Sequence, residues 1–222
     1  MIETRHQDGY TNSKIADIED ALLWYEENVR EPKINVLRGE GLGTEPPDSP
    51  ENRRWMRLFT TMSLTCSDGY ALYTIGGFTA EGHKQYQNHI WYDFWDANLG
   101  QPISPTAQPY QGIPSLYIRE FTNGWAVYNR SGQAQTITLP ESATPVSDRG
   151  NNAASQTHLL PDLDGEIYLK GPNTADVNGD GHINILDVLQ VANNLGQAAP
   201  DPNGDGVVNI LDLVFITQQF SQ

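Results

Sequence analysis

Cysteine, basic residues and long apolar runs are all scarce in this chain, and each shortage excludes something. Cys66 is the single cysteine among 222 residues, so no disulfide can form within the chain. The 13 lysines and arginines are outnumbered by 28 aspartates and glutamates, and the net charge is −15. Because phosphate contacts need Lys and Arg, we expect neither nucleic acid nor an anionic membrane surface as a partner. No apolar run is long enough for a transmembrane helix, so no membrane insertion is expected.

The C-terminal segment contains acidic side chains but no Lys or Arg. Residues 172–222 contain six aspartates but no Glu, Lys or Arg, which indicates a cation as partner. The opposite end of the chain lacks the basic start and apolar core of a signal peptide. We therefore expect either that the chain is not exported by that route or that it is the downstream part of a longer protein.

A twelve-residue pattern occurs twice, at 176–187 and 201–212, with nine identical positions. Calcium takes oxygen ligands, and a loop of this length supplies them from positions 1, 3, 5, 7, 9 and 12, with Gly at position 6. The alternative is a pair of polar turns without metal, but the register, the glycines and the duplication together favour two bound Ca²⁺ ions. The predicted ligands are Asp176, Asn178, Asp180, His182 (carbonyl), Asn184 and Asp187, then Asp201, Asn203, Asp205, Val207 (carbonyl), Asn209 and Asp212.

Each loop is followed by an apolar stripe with helical spacing, so we expect two short helices that pack against each other. Both loops end in Asp, where the common calcium loop ends in Glu. On these features residues 174–222 resemble a type I dockerin, an α-helical module with two EF-hand-like calcium loops. The resemblance implies a cohesin-like or other protein partner and an extracellular or cell-surface location.

Loop positions 10 and 11 read the partner in that family, often through Ser, Thr, Lys or Arg. Here they are the apolar pairs Ile185-Leu186 and Ile210-Leu211. The pairs are either buried within the module or exposed to a different kind of partner, and the sequence leaves both open.

The rest of the chain predicts two further domains, which makes the protein multidomain. Residues 1–110 show the order strand, helix, strand, helix, strand, which implies a parallel sheet and a partial α/β, TIM-barrel-like segment. Residues 111–171 predict a small antiparallel β-domain, with a flexible loop at 147–157. The dockerin-like module occupies residues 172–222.

Two stretches resemble parts of glycoside hydrolases. Residues 115–132 are similar to the strand pair that opens the β-domain after many such barrels, and residues 91–102 are similar to the region that links the two. The resemblance implies the C-terminal part of a secreted O-glycosyl hydrolase that acts on a polysaccharide or oligosaccharide. The alternative is a non-catalytic protein for calcium-dependent assembly or glycan binding.

Glycoside hydrolysis generally uses two carboxyl groups, which a barrel places at the C-terminal ends of its strands. Glu3 and Glu40 follow the ends of predicted strands and are the candidate catalytic pair. His89, Trp91 and Trp95 are the candidate substrate-binding residues, because aromatic faces stack on sugar rings. The same aromatic cluster could instead be a hydrophobic plug between two domains.

Overall fold

The computed structural model describes residues 2–3, 10–30, 34–78, 84–148, 154–171, 174–180 and 182–220. Side chains are not described at 2–3, 76–78, 84–89 and 148. The chain divides into two compact units, residues 1–169 and 170–222. The predicted domain boundary near residue 110 lies inside the first unit.

The first part of unit 1 alternates strands and helices, as the sequence predicts. The strands form one sheet in the order β1-β2-β3-β4, in which β1, β2 and β3 are parallel and β4 is antiparallel to β3. This described sheet is open and does not close into a barrel. The elements are β1 (Ile2–Glu3), α1 (Asn12–Asn28), β2 (Val36–Gly41), α2 (Pro50–Cys66), β3 (Tyr70–Phe78) and β4 (Lys84–His89).

The second sheet of unit 1 is antiparallel and five-stranded, which confirms the predicted antiparallel sheet, although it belongs to the same unit as the α/β part. Its order is β5-β6-β9-β7-β8. The sequence predicts a loop over residues 147–157. This prediction is wrong for residues 155–157, which belong to a strand. The strands are β5 (Leu116–Phe121), β6 (Gly124–Asn129), β7 (Gln135–Pro145), β8 (Ser155–Leu160) and β9 (Asp164–Lys170).

Helix α2 packs against strands of both sheets. It begins at a favourable N-cap, where Ser49 Oγ accepts the backbone N–H of Asn52 and Pro50 takes the first helical position. The close approach of α2 to the two sheets requires a glycine in each sheet at the point of contact. A Cβ on Gly39 of β2 would collide with the Phe59 ring, and one on Gly165 of β9 would collide with Thr61 Oγ1.

Glu19 of α1 is the buried polar link between that helix and the antiparallel sheet. Its carboxylate accepts hydrogen bonds from Arg130 Nε (2.9 Å), Tyr128 Oη (2.9 Å) and Ser115 Oγ (3.1 Å). Burial is also the main reason that the pKa of Tyr128 lies well above its usual value, so the phenol stays a donor. The carboxylate is thus satisfied by three donors from strands β5 and β6 or their ends.

Unit 2 contains two short helices, α3 (Ile185–Ala192) and α4 (Ile210–Gln218). They pack on each other, as predicted, around the buried side chains of Ala175, Val191, Val208 and Ile216. Among the described residues of both units, no helix is long and apolar enough to span a membrane.

We expect Glu19→Gln to destabilise unit 1 by about 3 kcal/mol, because it leaves the guanidinium of Arg130 buried without its counter-charge. Urea unfolding followed by circular dichroism measures the effect. Asp20→Asn, the neighbouring exposed position on α1, is the matched control and should change the free energy of unfolding by less than about 0.5 kcal/mol. Equal effects of the two substitutions would contradict the role of Glu19.

Candidate functional site

Each twelve-residue loop of unit 2 runs into the first turn of a helix. Asn184 and Asn209 are the N-caps, and the Asp three residues later reaches back to the N-cap backbone to complete a capping box. In the second loop, Asn209 Oδ1 accepts the N–H of Leu211 (2.7 Å) and Asp212 Oδ2 accepts the N–H of Asn209 (2.8 Å). Helix start and loop end are therefore one hydrogen-bonded structure.

The last carboxylate of each loop also holds the start of that loop. Asp187 and Asp212 are both 0% exposed. Asp187 Oδ1 accepts the backbone N–H groups of Val177 (2.8 Å) and Asn178 (3.1 Å). Asp212 Oδ1 accepts that of Asn203 (3.2 Å), while Pro202, which corresponds to Val177, has no N–H to donate.

The side chains at positions 1, 3 and 5 point into their own loops. In the second loop, Asp201 accepts the N–H of Gly204 (2.9 Å), Asn203 Oδ1 that of Asp205 (2.8 Å) and Asp205 Oδ1 that of Val207 (3.0 Å). The hydrogen bond from the Val207 N–H is the main cause that lowers the pKa of Asp205. The first loop repeats the pattern with Asp176, Asn178 and Asp180.

The second loop brings its carboxylates together. One oxygen each from Asp201, Asp205 and Asp212 lies within 4.8 Å of the others. Calcium–oxygen distances are about 2.3–2.6 Å, so oxygens around one ion are separated by at most about 5 Å. All the predicted ligand atoms are oxygens, which suits Ca²⁺ and does not suit the soft sulfur and nitrogen preferences of Zn²⁺.

The carbonyls at position 7, which are predicted calcium ligands, each accept a hydrogen bond from the asparagine at position 9. Asn209 Nδ2 donates to the Val207 carbonyl (2.9 Å), and Asn184 Nδ2 donates to the His182 carbonyl (3.2 Å). Position 6 of the first loop, Gly181, lies outside the described residues. The predicted ligands of the two loops thus share these hydrogen bonds, but among the described residues only the second loop brings three carboxylates together.

The apolar pairs at positions 10 and 11 are exposed, so they are not buried within the module. Ile185 and Leu186 are 58% and 53% exposed, and Ile210 and Leu211 are 70% and 58% exposed. One helical turn later, Leu189 and Val214 are exposed as well. We call these six side chains the docking face; each loop-helix repeat contributes three of them.

In unit 1, Glu40 is buried near the C-terminal end of β2, at 6% exposure. The Tyr10 hydroxyl donates to the backbone carbonyl of Glu40 (2.8 Å) and accepts the backbone N–H of Glu40 (3.0 Å). It thus satisfies the backbone of Glu40 at the edge of β2, past the end of the neighbouring strand β1. Because Gly39 and Gly41 face α2, the alternation of a strand places Glu40 on the opposite face. Glu3 pairs in register with Arg38, but its side chain lies outside the described residues.

The candidate substrate-binding residues divide between two places. His89 pairs with Thr74 in the sheet, and Thr74 pairs with Glu40, so these three positions form one row; the His89 side chain lies outside the described residues. Trp91 and Trp95 instead line a largely apolar cavity of about 430 Å³ against α2. The structure therefore does not bring these tryptophans to the face that carries Glu40.

The two tryptophans form a fixed pair. Their rings meet edge to face, with centroids 5.5 Å apart. Trp95 Nε1 donates to Thr60 Oγ1 of α2 (2.9 Å), and Trp91 Nε1 donates to Asp96 (2.8 Å). Trp91 remains 71% exposed, so it is a solvent-facing ring and not a buried plug.

Unit 1 also contains a group of polar side chains that the sequence did not indicate. Glu166 and Asp164 of β9 and Arg57 of α2 line a polar cavity of about 480 Å³. Only the alternation of β9 could have indicated that Asp164 and Glu166 share a face, and nothing local connects them to Arg57.

We expect Asp187→Asn and Asp212→Asn each to weaken calcium binding at its own loop on the order of tenfold or more, because each removes a negative ligand charge. Isothermal titration calorimetry of the full chain should show two sites in the parent and one site of unchanged affinity in either variant. Asp17→Asn, on an exposed position of α1, is the control and should keep both sites. Two unchanged sites in Asp212→Asn would contradict the ligand assignment.

Comparison with known proteins agrees with this geometry. Residues 174–221 match the family model of the Dockerin type I domain. No curated protein and no solved structure matched the chain. Type I dockerins bind calcium and dock on cohesin, and they occur in extracellular cellulosome components. Residues 174–221 of this chain are a type I dockerin domain, a calcium-dependent docking module for cohesin.

Proposed function

We propose that the dockerin domain binds two calcium ions, one in each loop, and holds its cohesin partner through the apolar docking face. The observation that carries this is the pair of buried aspartates, Asp187 and Asp212, which join the ligand positions to the helices that present the face. Bound calcium supplies the positive charge that the clustered carboxylates of each loop require.

The chain's own residues convert ion binding into a defined surface. Without a cation, the carboxylates of Asp201, Asp205 and Asp212 repel one another at the separation that the loop imposes. Displacement of Asp212 would release the first turn of α4, because its carboxylate caps that turn. Ile210 and Leu211 occupy the same turn, so their positions depend on the occupied loop.

The docking face selects a partner by its chemistry. Residues 172–222 contain no Lys, Arg or Glu, and the aspartates at the ends of both loops are buried. The face therefore offers apolar contact without ion pairs. A cohesin that fits it presents apolar side chains, and the affinity of the complex depends little on salt.

We expect the double substitution Leu186→Gln and Leu211→Gln to weaken cohesin binding more than about tenfold, because it places polar groups at the centre of both halves of the face. The measurement is titration of a panel of purified cohesins with the full chain, in calcium and in EDTA. Leu159→Gln makes the same change at an exposed position of unit 1 and is the matched control. Binding that survives the double substitution, or that persists in EDTA, would rule out this face or its dependence on calcium.

For residues 1–169 we propose a glycan-directed activity, which the docking module would attach to a larger extracellular or cell-surface assembly. The first candidate is hydrolysis of a polysaccharide or oligosaccharide by Glu3 and Glu40, in a partial α/β, TIM-barrel-like segment. Its support is the position of Glu40, which is buried near the C-terminal end of a parallel strand on the face away from the helix.

The second candidate is glycan binding without hydrolysis, at the groove of Trp91 and Trp95. A specific observation favours it: Trp91 offers an exposed ring beside a preformed cavity, and Trp95 is anchored on α2. An exposed aromatic ring with a hydrogen-bonded edge is well suited to stack on the apolar face of a sugar. This site is separate from Glu40, so the two candidates can be tested apart.

If the chain hydrolyses a glycan, Glu40→Gln should reduce the rate by roughly 10²-fold or more, because the substitution removes the carboxyl proton chemistry. The full chain is assayed for release of reducing ends on a polysaccharide panel, with Glu3→Gln in parallel. Glu45→Gln, at an exposed position, is the control. Activity unaffected by Glu3→Gln and Glu40→Gln would eliminate the catalytic pair, whereas glycan binding lost only in Trp91→Ala would establish the second candidate.

A further inference from the structure

A cavity of about 480 Å³ in unit 1 lies along strands β8 and β9 and at the C-terminal end of β7. Its lining is mostly polar, in contrast to the apolar groove beside Trp91. Neither the proposed hydrolysis nor the proposed docking uses it. Its polar side chains include Arg57, Ser147, His158, Asp164 and Glu166.

Glu166 is a buried carboxyl in the wall of the cavity, at the centre of β9. It accepts hydrogen bonds from the backbone N–H groups of Ser147 (3.2 Å) and Ile167 (2.9 Å), and from the Ser147 hydroxyl. Burial raises the pKa of Glu166 to about 7, against the opposing effect of these donors. With its pKa at this value the group exchanges a proton near pH 7, and in the protonated form it donates as well as accepts.

The other charges of the cavity neutralise each other. Arg57 Nε donates to Asp164 Oδ1 (3.0 Å) and Arg57 Nη2 donates to Asp164 Oδ2 (2.6 Å), which is a bidentate pair. The guanidinium is thus occupied and does not offer its charge to an anion. Asp164 is occupied in the same way and does not offer a free carboxylate to a metal ion. Among the described residues that line this cavity, no charge is left free to pair with a charged ligand.

The rim adds groups that accept as well as donate. His158 Nε2 lies 2.7 Å from the carbonyl of Ser155, and because a carbonyl only accepts, that nitrogen carries the proton. In the neutral imidazole, Nδ1 is then an acceptor. The ring is held against Tyr168, with centroids 4.4 Å apart, and Ser147, whose hydroxyl reaches Glu166, belongs to the same lining.

We propose that this cavity binds one unit of a neutral carbohydrate. Sugar hydroxyls donate and accept at the same atom, as does the Ser147 hydroxyl, and the Glu166 carboxyl does both in its protonated form. A peptide amide does only one of the two at each atom, and it would leave part of the lining unpaired. The volume is also suited to a small polar molecule. The site is independent of the groove beside Trp91.

The test is saturation-transfer NMR titration of the full chain with glucose, xylose, mannose and galactose, with galacturonate as the charged comparison. We expect at least one neutral sugar to bind saturably, with a Kd on the order of 1 mM. Ser147→Trp should raise that Kd more than about tenfold, because an indole at this exposed position in the cavity wall would occupy the space beside Glu166. Thr136→Trp, an exposed position on β7 outside the lining, should leave it unchanged.

A second variant keeps the test valid if the first disturbs the fold. His158→Phe retains the ring packing on Tyr168 but removes the acceptor nitrogen, and it should raise the Kd roughly fivefold. The absence of saturable binding to all four neutral sugars would overturn the proposal, as would tighter binding of galacturonate. Binding that is lost in Trp91→Ala but kept in both cavity variants would assign the sugar to the other groove.

Discussion

The carboxylate at the end of each calcium loop is the interaction on which the docking module depends. Asp212 caps α4, holds the start of its own loop through the N–H of Asn203, and contributes to the oxygen cluster with Asp201 and Asp205. Three requirements thus meet in one buried side chain. Asp satisfies them because its short side chain bonds the N-cap backbone while it remains within reach of the other carboxylates, so loop, ion and helix form a single cooperative structure.

In unit 1, ion pairs with little exposure to solvent link the helices to the antiparallel sheet. Helix α2 lies against both sheets, and its Arg57 is paired with Asp164 of β9. Arg130 is paired with Glu19 of α1 in the same way. Paired charges of this kind add little stability over an apolar substitute, but they are costly to break. Their contribution here is to fix which face of each helix meets the antiparallel sheet.

Local patterns were enough to predict what depends on local spacing. The duplicated loops predicted the arrangement of unit 2, and alternation predicted strands such as β6. Strand β4 has a polar sequence without alternation, and β8 begins in a polar stretch, so tertiary pairing decides both. The contacts of Glu19 and Glu166 could not be predicted either, because their partners lie far along the chain or depend on which strands become neighbours. Exposure of the Ile-Leu pairs likewise follows from helix packing and not from the loop pattern.

The distribution of charge in the dockerin domain has a consequence for recognition. Its negative charge resides in the calcium loops, where calcium offsets it on binding, and the six side chains of the docking face carry none. The docking face itself contributes no charge to electrostatic steering, and association without steering proceeds at about 10⁵–10⁶ M⁻¹s⁻¹. Affinity must then come from slow dissociation, which close apolar packing provides. Discrimination between cohesins consequently depends on the fit around side chains such as Ile210 and Leu211, because a polar or charged partner surface would lose its hydration there without gaining a hydrogen bond.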